Sequence, residues 1–96
     1  WQAEFCRVMR EVNIGYTFWP YKKVDNSCFN AITRPENWEK VVEFAEADRS
    51  TYEKIRNARP DQAVARKALL DFIENAKCAN CTPQKGYIES LGLSVK

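Results

Sequence analysis

The clearest structural signal in this chain is the stretch DQAVARKALLDFIENAKCANC, residues 61–81. Its apolar residues recur at intervals of three and four, which predicts an amphipathic helix with one buried face. Pro60 should end the preceding segment, and Asp61 is a suitable N-cap for the new helix. The predicted apolar stripe consists of Ala65, Ala68, Leu69, Phe72, Ile73 and Ala76. Cys78 and Cys81 should lie at the C-terminal end of this helix.

The N-terminal third contains two further helical patterns. Four apolar residues at helical spacing predict a first helix over residues 2–13, namely Phe5, Val8, Met9 and Val12. A second, short helix is expected near residues 27–32, where Asp25 and Ser27 could cap a turn containing Phe29 and Ile32. That helix would carry Cys28.

The middle of the chain predicts a strong helix that begins with a capping box. Thr33 and Glu36 have the required spacing, and Pro35 is acceptable in a first turn. Its buried stripe would be Trp38, Val41, Val42 and Ala45. Ser50 and Glu53 offer a second capping box, so we favour a bend or break near Arg49 over one helix reaching Asn57.

A short last helix is expected around Tyr87, Ile88 and Leu91, with Gly92 ending it. No comparable strand signal is present. The sequence therefore predicts an all-α fold: a compact, disulfide-stapled bundle of about five helices with two disulfides, forming a single secreted domain over residues 1–96.

The disulfide prediction depends on four cysteines, Cys6, Cys28, Cys78 and Cys81. An even number of cysteines in a short chain is typical of secreted domains that need cross-links. Three pairings are possible. Those that tie Cys6 and Cys28 to Cys78 and Cys81 are favoured over the local pairs Cys6–Cys28 and Cys78–Cys81. Redox activity and zinc binding are not expected, because no βαβ pattern, histidine or second close cysteine pair is present.

Composition argues against several classes of function. The chain has no histidine, which removes the commonest catalytic base, and no glycine-rich phosphate loop. The acidic residues Glu36, Glu39, Glu43 and Glu46 follow the spacing of a solvated helix face. We therefore expect a non-enzymatic protein without cofactor or metal.

Charge and hydropathy also limit the partners. Fifteen Lys and Arg oppose thirteen Asp and Glu, giving a net charge of +2 with both signs interspersed. This balance is not typical of nucleic-acid binding, and no apolar stretch is long enough to span a membrane. Trp1 has the character of a first mature residue after removal of a signal peptide. The expected protein is thus extracellular and monomeric.

An aromatic and basic loop over residues 16–23, with the sequence YTFWPYKK, is the best candidate for partner binding. Large aromatic side chains and cationic tips are enriched at protein interfaces. The candidate partner-binding residues are Trp19, Tyr21, Lys22 and Lys23. Phe18 and Trp19 could instead fold back over the helices, which is the favoured interpretation for these two. Tyr21, Lys22 and Lys23 are expected to be exposed.

A pocket for a small hydrophobic ligand is the alternative function. It would lie between helices, as in helical carrier proteins. The side chains that could line it are Trp38, Phe44, Tyr52, Phe72, Ile73 and Tyr87. The same residues could simply fill the core of a small domain, and packing is the favoured interpretation.

Two families share features with this chain. The segment Cys78-Ala-Asn-Cys81-Thr82, followed by Gln84 and Lys85, is similar to the Cys-x-x-Cys-Thr segment of insect chemosensory proteins, which are helical carriers of apolar ligands. The spacing of the first cysteines differs from that family. The resemblance covers about eight residues and implies the carrier function.

The whole chain more closely resembles the small salivary anti-complement proteins of sand flies. The features that carry this resemblance are Trp1 at the start, a mass of 11.2 kDa, four cysteines, helical patterns and mild basicity. It implies an all-helical fold distantly like odorant-binding domains. It also implies binding to a host serum protein, an early component of the classical complement pathway, and inhibition of that pathway.

Overall fold

The computed structural model describes residues 1–27 and 29–95. Within these residues are five α-helices, three short β-strands and one 3₁₀ turn, Cys78–Asn80. In chain order they are α1 Gln2–Glu11, β1 Lys22–Val24, β2 Asn30–Ile32, α2 Trp38–Glu46, α3 Tyr52–Ala58, α4 Gln62–Asn75, β3 Thr82–Pro83 and α5 Lys85–Ser90. None of the described helices is long and apolar enough to cross a membrane.

The chain forms two compact units. The first unit combines Trp1–Thr33 with the segment that starts at Cys78, and the second unit is Arg34–Lys77. The first contains α1, α5 and all three strands, and the second contains α2, α3 and α4.

The prediction of an all-α fold is wrong, because the first unit contains a three-stranded mixed sheet. About 52% of the residues are helical. The strand order is β1-β2-β3, with β2 parallel to β1 and antiparallel to β3. The sheet therefore joins two segments of the first unit that are far apart in the sequence.

The helix expected near residues 27–32 is replaced by β2. The backbone groups of this segment bond to other segments instead of to their own turn: Asn30 N–H donates to the Tyr21 carbonyl at 3.1 Å, and the Ile32 carbonyl accepts from Asp25 N–H at 3.0 Å. Gln84 N–H donates to the Phe29 carbonyl at 2.8 Å on the other side. These bonds satisfy the backbone across the sheet, and the strand buries Ala31 and Ile32.

Helices α1 and α5 follow their sequence patterns closely. The first begins at Gln2 as expected and ends at Glu11, two residues before the expected boundary at residue 13. The last ends at Ser90, and Gly92 adopts the left-handed conformation, with φ +78°, that stops a helix. Arg10 of α1 donates from Nη2 to the Leu91 carbonyl at 2.8 Å, which ties the two helix ends together.

The start of α2 differs from the expected capping box. The helix begins at Trp38, and the residue before it, Asn37, has a left-handed φ of 58°. Thr33 directly follows β2, and Arg34 precedes a proline, which disfavours helical backbone at that residue. The chain therefore turns through residues 35–37 before the helix starts.

The break near Arg49 is confirmed. Helix α2 ends at Glu46 and α3 begins at Tyr52. Helix α4 begins as expected, with the Asp61 carboxylate accepting a hydrogen bond from Val64 N–H at 3.0 Å. In the second unit α4 packs on α2, where the rings of Trp38 and Phe72 stack with centroids 4.8 Å apart. Ala68 of α4 is buried as expected, but Leu69 and Ile73, expected in the same stripe, are exposed.

The two expected disulfides are not found in the part of the chain that the structure describes. Each of the three possible pairings needs a bond between two of Cys6, Cys78 and Cys81, and no such bond is present. Cys28 lies outside the described residues. For the Cys6–Cys78 pair the surroundings differ, because Cys6 is fully buried in the first unit, whereas Cys78 is exposed at the start of the 3₁₀ turn.

Candidate functional site

Phe18 anchors the aromatic and basic loop within the first unit. Its ring meets Tyr16, Tyr87 and Phe5 edge-on, with centroids 5.5, 5.7 and 6.0 Å apart. Edge-to-face contacts of this kind are favourable beyond the area that they bury. The loop is thus attached to both α1 and α5, and Phe18 packs inward as the sequence favours.

We call Phe5, Tyr16, Phe18 and Tyr87 the aromatic cluster. Tyr16 adds a polar contact to it. A side-chain hydrogen bond with the buried Cys6 raises the pKa of Tyr16, and burial raises it further. The nearby Arg10 acts in the opposite direction on that pKa. Cys6 therefore serves as a buried hydrogen-bonding group beside the loop instead of as half of a cross-link.

The far end of the loop is fixed by the sheet. Ser27 Oγ donates to the Pro20 carbonyl at 3.2 Å, and the Tyr21 carbonyl accepts from Asn30 N–H at 3.1 Å. The Tyr21 ring also packs on Phe29, with centroids 5.6 Å apart. Both ends of the segment that carries Trp19 are consequently held in place.

Trp19 itself points outward. Its side chain is 90% exposed, and Tyr21 nearby is 58% exposed. Lys23, on β1, is exposed as well. These three exposed residues, Trp19, Tyr21 and Lys23, lie within five positions of the sequence, and we call them the Trp19 surface. The sequence favours an inward position for Trp19, and that interpretation is wrong, because the residue is 90% exposed, whereas Phe18 packs against α1 and α5.

Lys22 differs from the other candidate residues. It lies on β1, is half-buried, and its Nζ is 3.5 Å from Cys78 Sγ. The structure therefore brings Lys22 to the 3₁₀ turn instead of to the Trp19 surface. No signal in the sequence could have shown this contact, because it joins residues separated by most of the chain through β2 and β3.

The six residues suggested for a ligand pocket are divided between the two units. Tyr87 lies in the aromatic cluster of the first unit. Tyr52 is 65% exposed, with the Arg56 guanidinium over its ring. Trp38 and Phe72 fill their own stack. Of the six, Phe44 alone lines a groove in the second unit.

That groove lies in the second unit, where α2, α4 and the turn between α3 and α4 meet. It has a volume of about 560 Å³ and is bordered by five apolar side chains, Val41, Phe44, Pro60, Ala65 and Leu69. Arg59 and Gln62 complete its wall. We call it the α2–α4 groove. The apolar stripes expected for the two helices contain Val41, Ala65 and Leu69, so part of the lining of the groove could be predicted from the sequence.

Among the described residues, no group of three or more His, Cys, Asp or Glu side chains could hold a metal ion. The chain matches no known protein family, and no curated protein or solved structure is detectably similar to it. The Trp19 surface and the α2–α4 groove are therefore the features of the described residues that bear on function.

Proposed function

We propose that this chain is a secreted, non-enzymatic effector that binds a host serum protein through the Trp19 surface and so inhibits the classical complement pathway. The observation that carries the proposal is the 90% exposure of Trp19 on a loop whose neighbours are well packed. A tryptophan buries a large apolar area when covered, and leaving it in water is costly.

The composition of the Trp19 surface supports protein binding. Trp and Tyr are among the residues that most often dominate binding energy at interfaces, where they occupy the centre of the contact. Lys23 adds a positive charge at the edge of the patch. A charge in that position mainly affects the rate of association and the choice of partner.

The attachment of the loop supports the proposal as well. Phe18 is held by three aromatic rings, and the Pro20 carbonyl accepts a hydrogen bond from Ser27. A loop that is already ordered loses less conformational entropy on binding than a mobile one. Binding of a partner to Trp19 should therefore cost little conformational entropy of the loop.

The choice of complement as target follows from the resemblance to sand-fly salivary anti-complement proteins in mass, net charge and cysteine number. Its test is a classical-pathway haemolysis assay with the intact chain. We expect dose-dependent protection of antibody-coated red cells at micromolar concentration or below, and weaker protection when the alternative pathway alone is active. No protection at micromolar concentration would remove the complement proposal.

The charge of Lys23 provides a further prediction. Lys23→Glu should weaken inhibition by about tenfold at low ionic strength, and the loss should shrink as salt is added, because exposed charges are screened. Lys85→Glu is the matched control: it makes the same charge change at an exposed position of the first unit, on α5. Equal effects of the two variants would show that net charge, and not the position of Lys23, affects inhibition.

A further inference from the structure

The α2–α4 groove has the size and lining of a small-molecule site. Its volume of about 560 Å³ lies within the range of roughly 300–1,000 Å³ typical of ligand pockets. Such pockets are mostly apolar, with a few polar groups that orient the ligand. Leu69 remains 46% exposed within this lining, so apolar surface is available to a ligand.

The polar wall of the groove carries a positive charge. Arg59 follows α3 directly, and its backbone N–H donates to the Arg56 carbonyl. Over residues 1–27 and 29–95 no carboxylate is paired with the Arg59 guanidinium, and no acidic side chain borders the groove. Arg7, by contrast, is paired with both Glu4 and Glu11.

The guanidinium and the apolar wall select one class of ligand. Arginine presents several N–H donors in a plane that matches the two oxygens of a carboxylate, and such charge-assisted hydrogen bonds are stronger than neutral ones. Gln62 adds an amide beside it. Val41, Phe44 and Leu69 offer an apolar surface to a hydrocarbon chain.

We propose that the α2–α4 groove binds a single-chain amphiphile with a carboxylate head, of the fatty-acid class, with the head at Arg59 and the chain along α2 and α4. This site belongs to the second unit, whereas the Trp19 surface belongs to the first. Binding of an amphiphile in the groove therefore does not depend on complement inhibition by the Trp19 surface.

The test compares two fluorescent probes that differ in the head group alone, cis-parinaric acid and its methyl ester, titrated into the intact chain below their aggregation concentrations. We expect saturable one-to-one binding of the acid at micromolar concentration. A charged hydrogen bond is worth about 1.5–3 kcal/mol, so the acid should bind at least about tenfold more tightly than the ester.

Three variants locate the site. Arg59→Gln should weaken binding of the acid to about the level of the ester and so abolish the preference for the acid. Arg66→Gln, which removes an exposed arginine from α4 outside the groove, should retain the preference. Leu69→Gln, at a partly exposed position, should weaken both probes by a similar factor. Far-UV circular dichroism and the thermal midpoint confirm that each variant is folded.

Several results would overturn the proposal: no saturable binding of the acid, equal affinity for acid and ester, or an acid preference that survives Arg59→Gln. Binding that is lost in Trp19→Ala but not in Leu69→Gln would also contradict it, because the probe would then occupy the first unit. Loss of complement inhibition without loss of probe binding would separate the two proposals.

Discussion

At the scale of single residues, the cap of α3 shows how local bonding decides between neighbouring candidates. Ser50 and Thr51 can both cap a helix, and the sequence favours Ser50 because Glu53 follows at the capping-box spacing. In the structure Ser50 N–H donates to the Asp48 carboxylate at 2.8 Å, which holds Ser50 in a turn ahead of the helix. Thr51 Oγ1 then accepts from Lys54 N–H at 3.2 Å.

This arrangement predicts unequal effects of two alanine substitutions. Thr51→Ala should lower the free energy of unfolding by about 1 kcal/mol, since the Lys54 N–H loses its acceptor. Ser50→Ala should cost less, because the Ser50 backbone N–H that bonds Asp48 is retained. Urea unfolding followed by circular dichroism measures both changes. A larger loss for Ser50→Ala would assign the cap to Ser50 and contradict the structure.

At the scale of elements, the helices were predictable and the strands were not. The stripes of α1 and α4 extend over several turns, and the N-cap Asp61 and the terminal Gly92 mark helix ends in the sequence. The strands have two or three residues, too few to show a period of two. Parallel strands also need a long crossover as a rule, whereas β1 and β2 are separated by residues 25–29 alone.

Because β2 is the central strand of the sheet, loss of a buried side chain from it should destabilise the chain. Ile32 is 4% exposed in the strand, so Ile32→Ala should destabilise the chain by about 2–5 kcal/mol, as expected for a buried isoleucine. Ile14→Ala is the control in the same unit, since Ile14 is 57% exposed and its loss should cost well under 1 kcal/mol. Urea unfolding measures both. Similar losses at the two positions would contradict the burial of β2.

The candidate sites, like the secondary structure, could be predicted only where residues that are close in the sequence determine them. The loop with Trp19, Tyr21 and Lys23 could be chosen from composition alone, because aromatic and cationic residues adjoin there. The outward position of Trp19 could not, since composition does not show which of Phe18 and Trp19 packs on Phe5 and Tyr87. Arg59 is one of several arginines in the sequence, and the packing of α2 on α4 sets it at a groove.

At the scale of the whole molecule, the chain consists of two compact units with separate candidate sites. The cysteine count predicts a cross-linked helical bundle. In the described residues it is instead an aromatic cluster and a small mixed sheet that connect the N-terminal segment with the C-terminal one.

Because no disulfide is found in the described residues, treatment with a thiol reductant should leave the proposed inhibition by the Trp19 surface intact. Loss of inhibition under reduction would contradict this expectation.

Two equally exposed tryptophans allow a direct test of whether the Trp19 surface inhibits complement. Trp19 is 90% exposed and Trp1 is 91% exposed. In classical-pathway haemolysis, Trp19→Ala should raise the half-inhibitory concentration by about tenfold or more, as for an interface hot spot, with the thermal midpoint unchanged. Trp1→Ala should inhibit as the parent chain does. Full activity of a folded Trp19→Ala variant would contradict the claim.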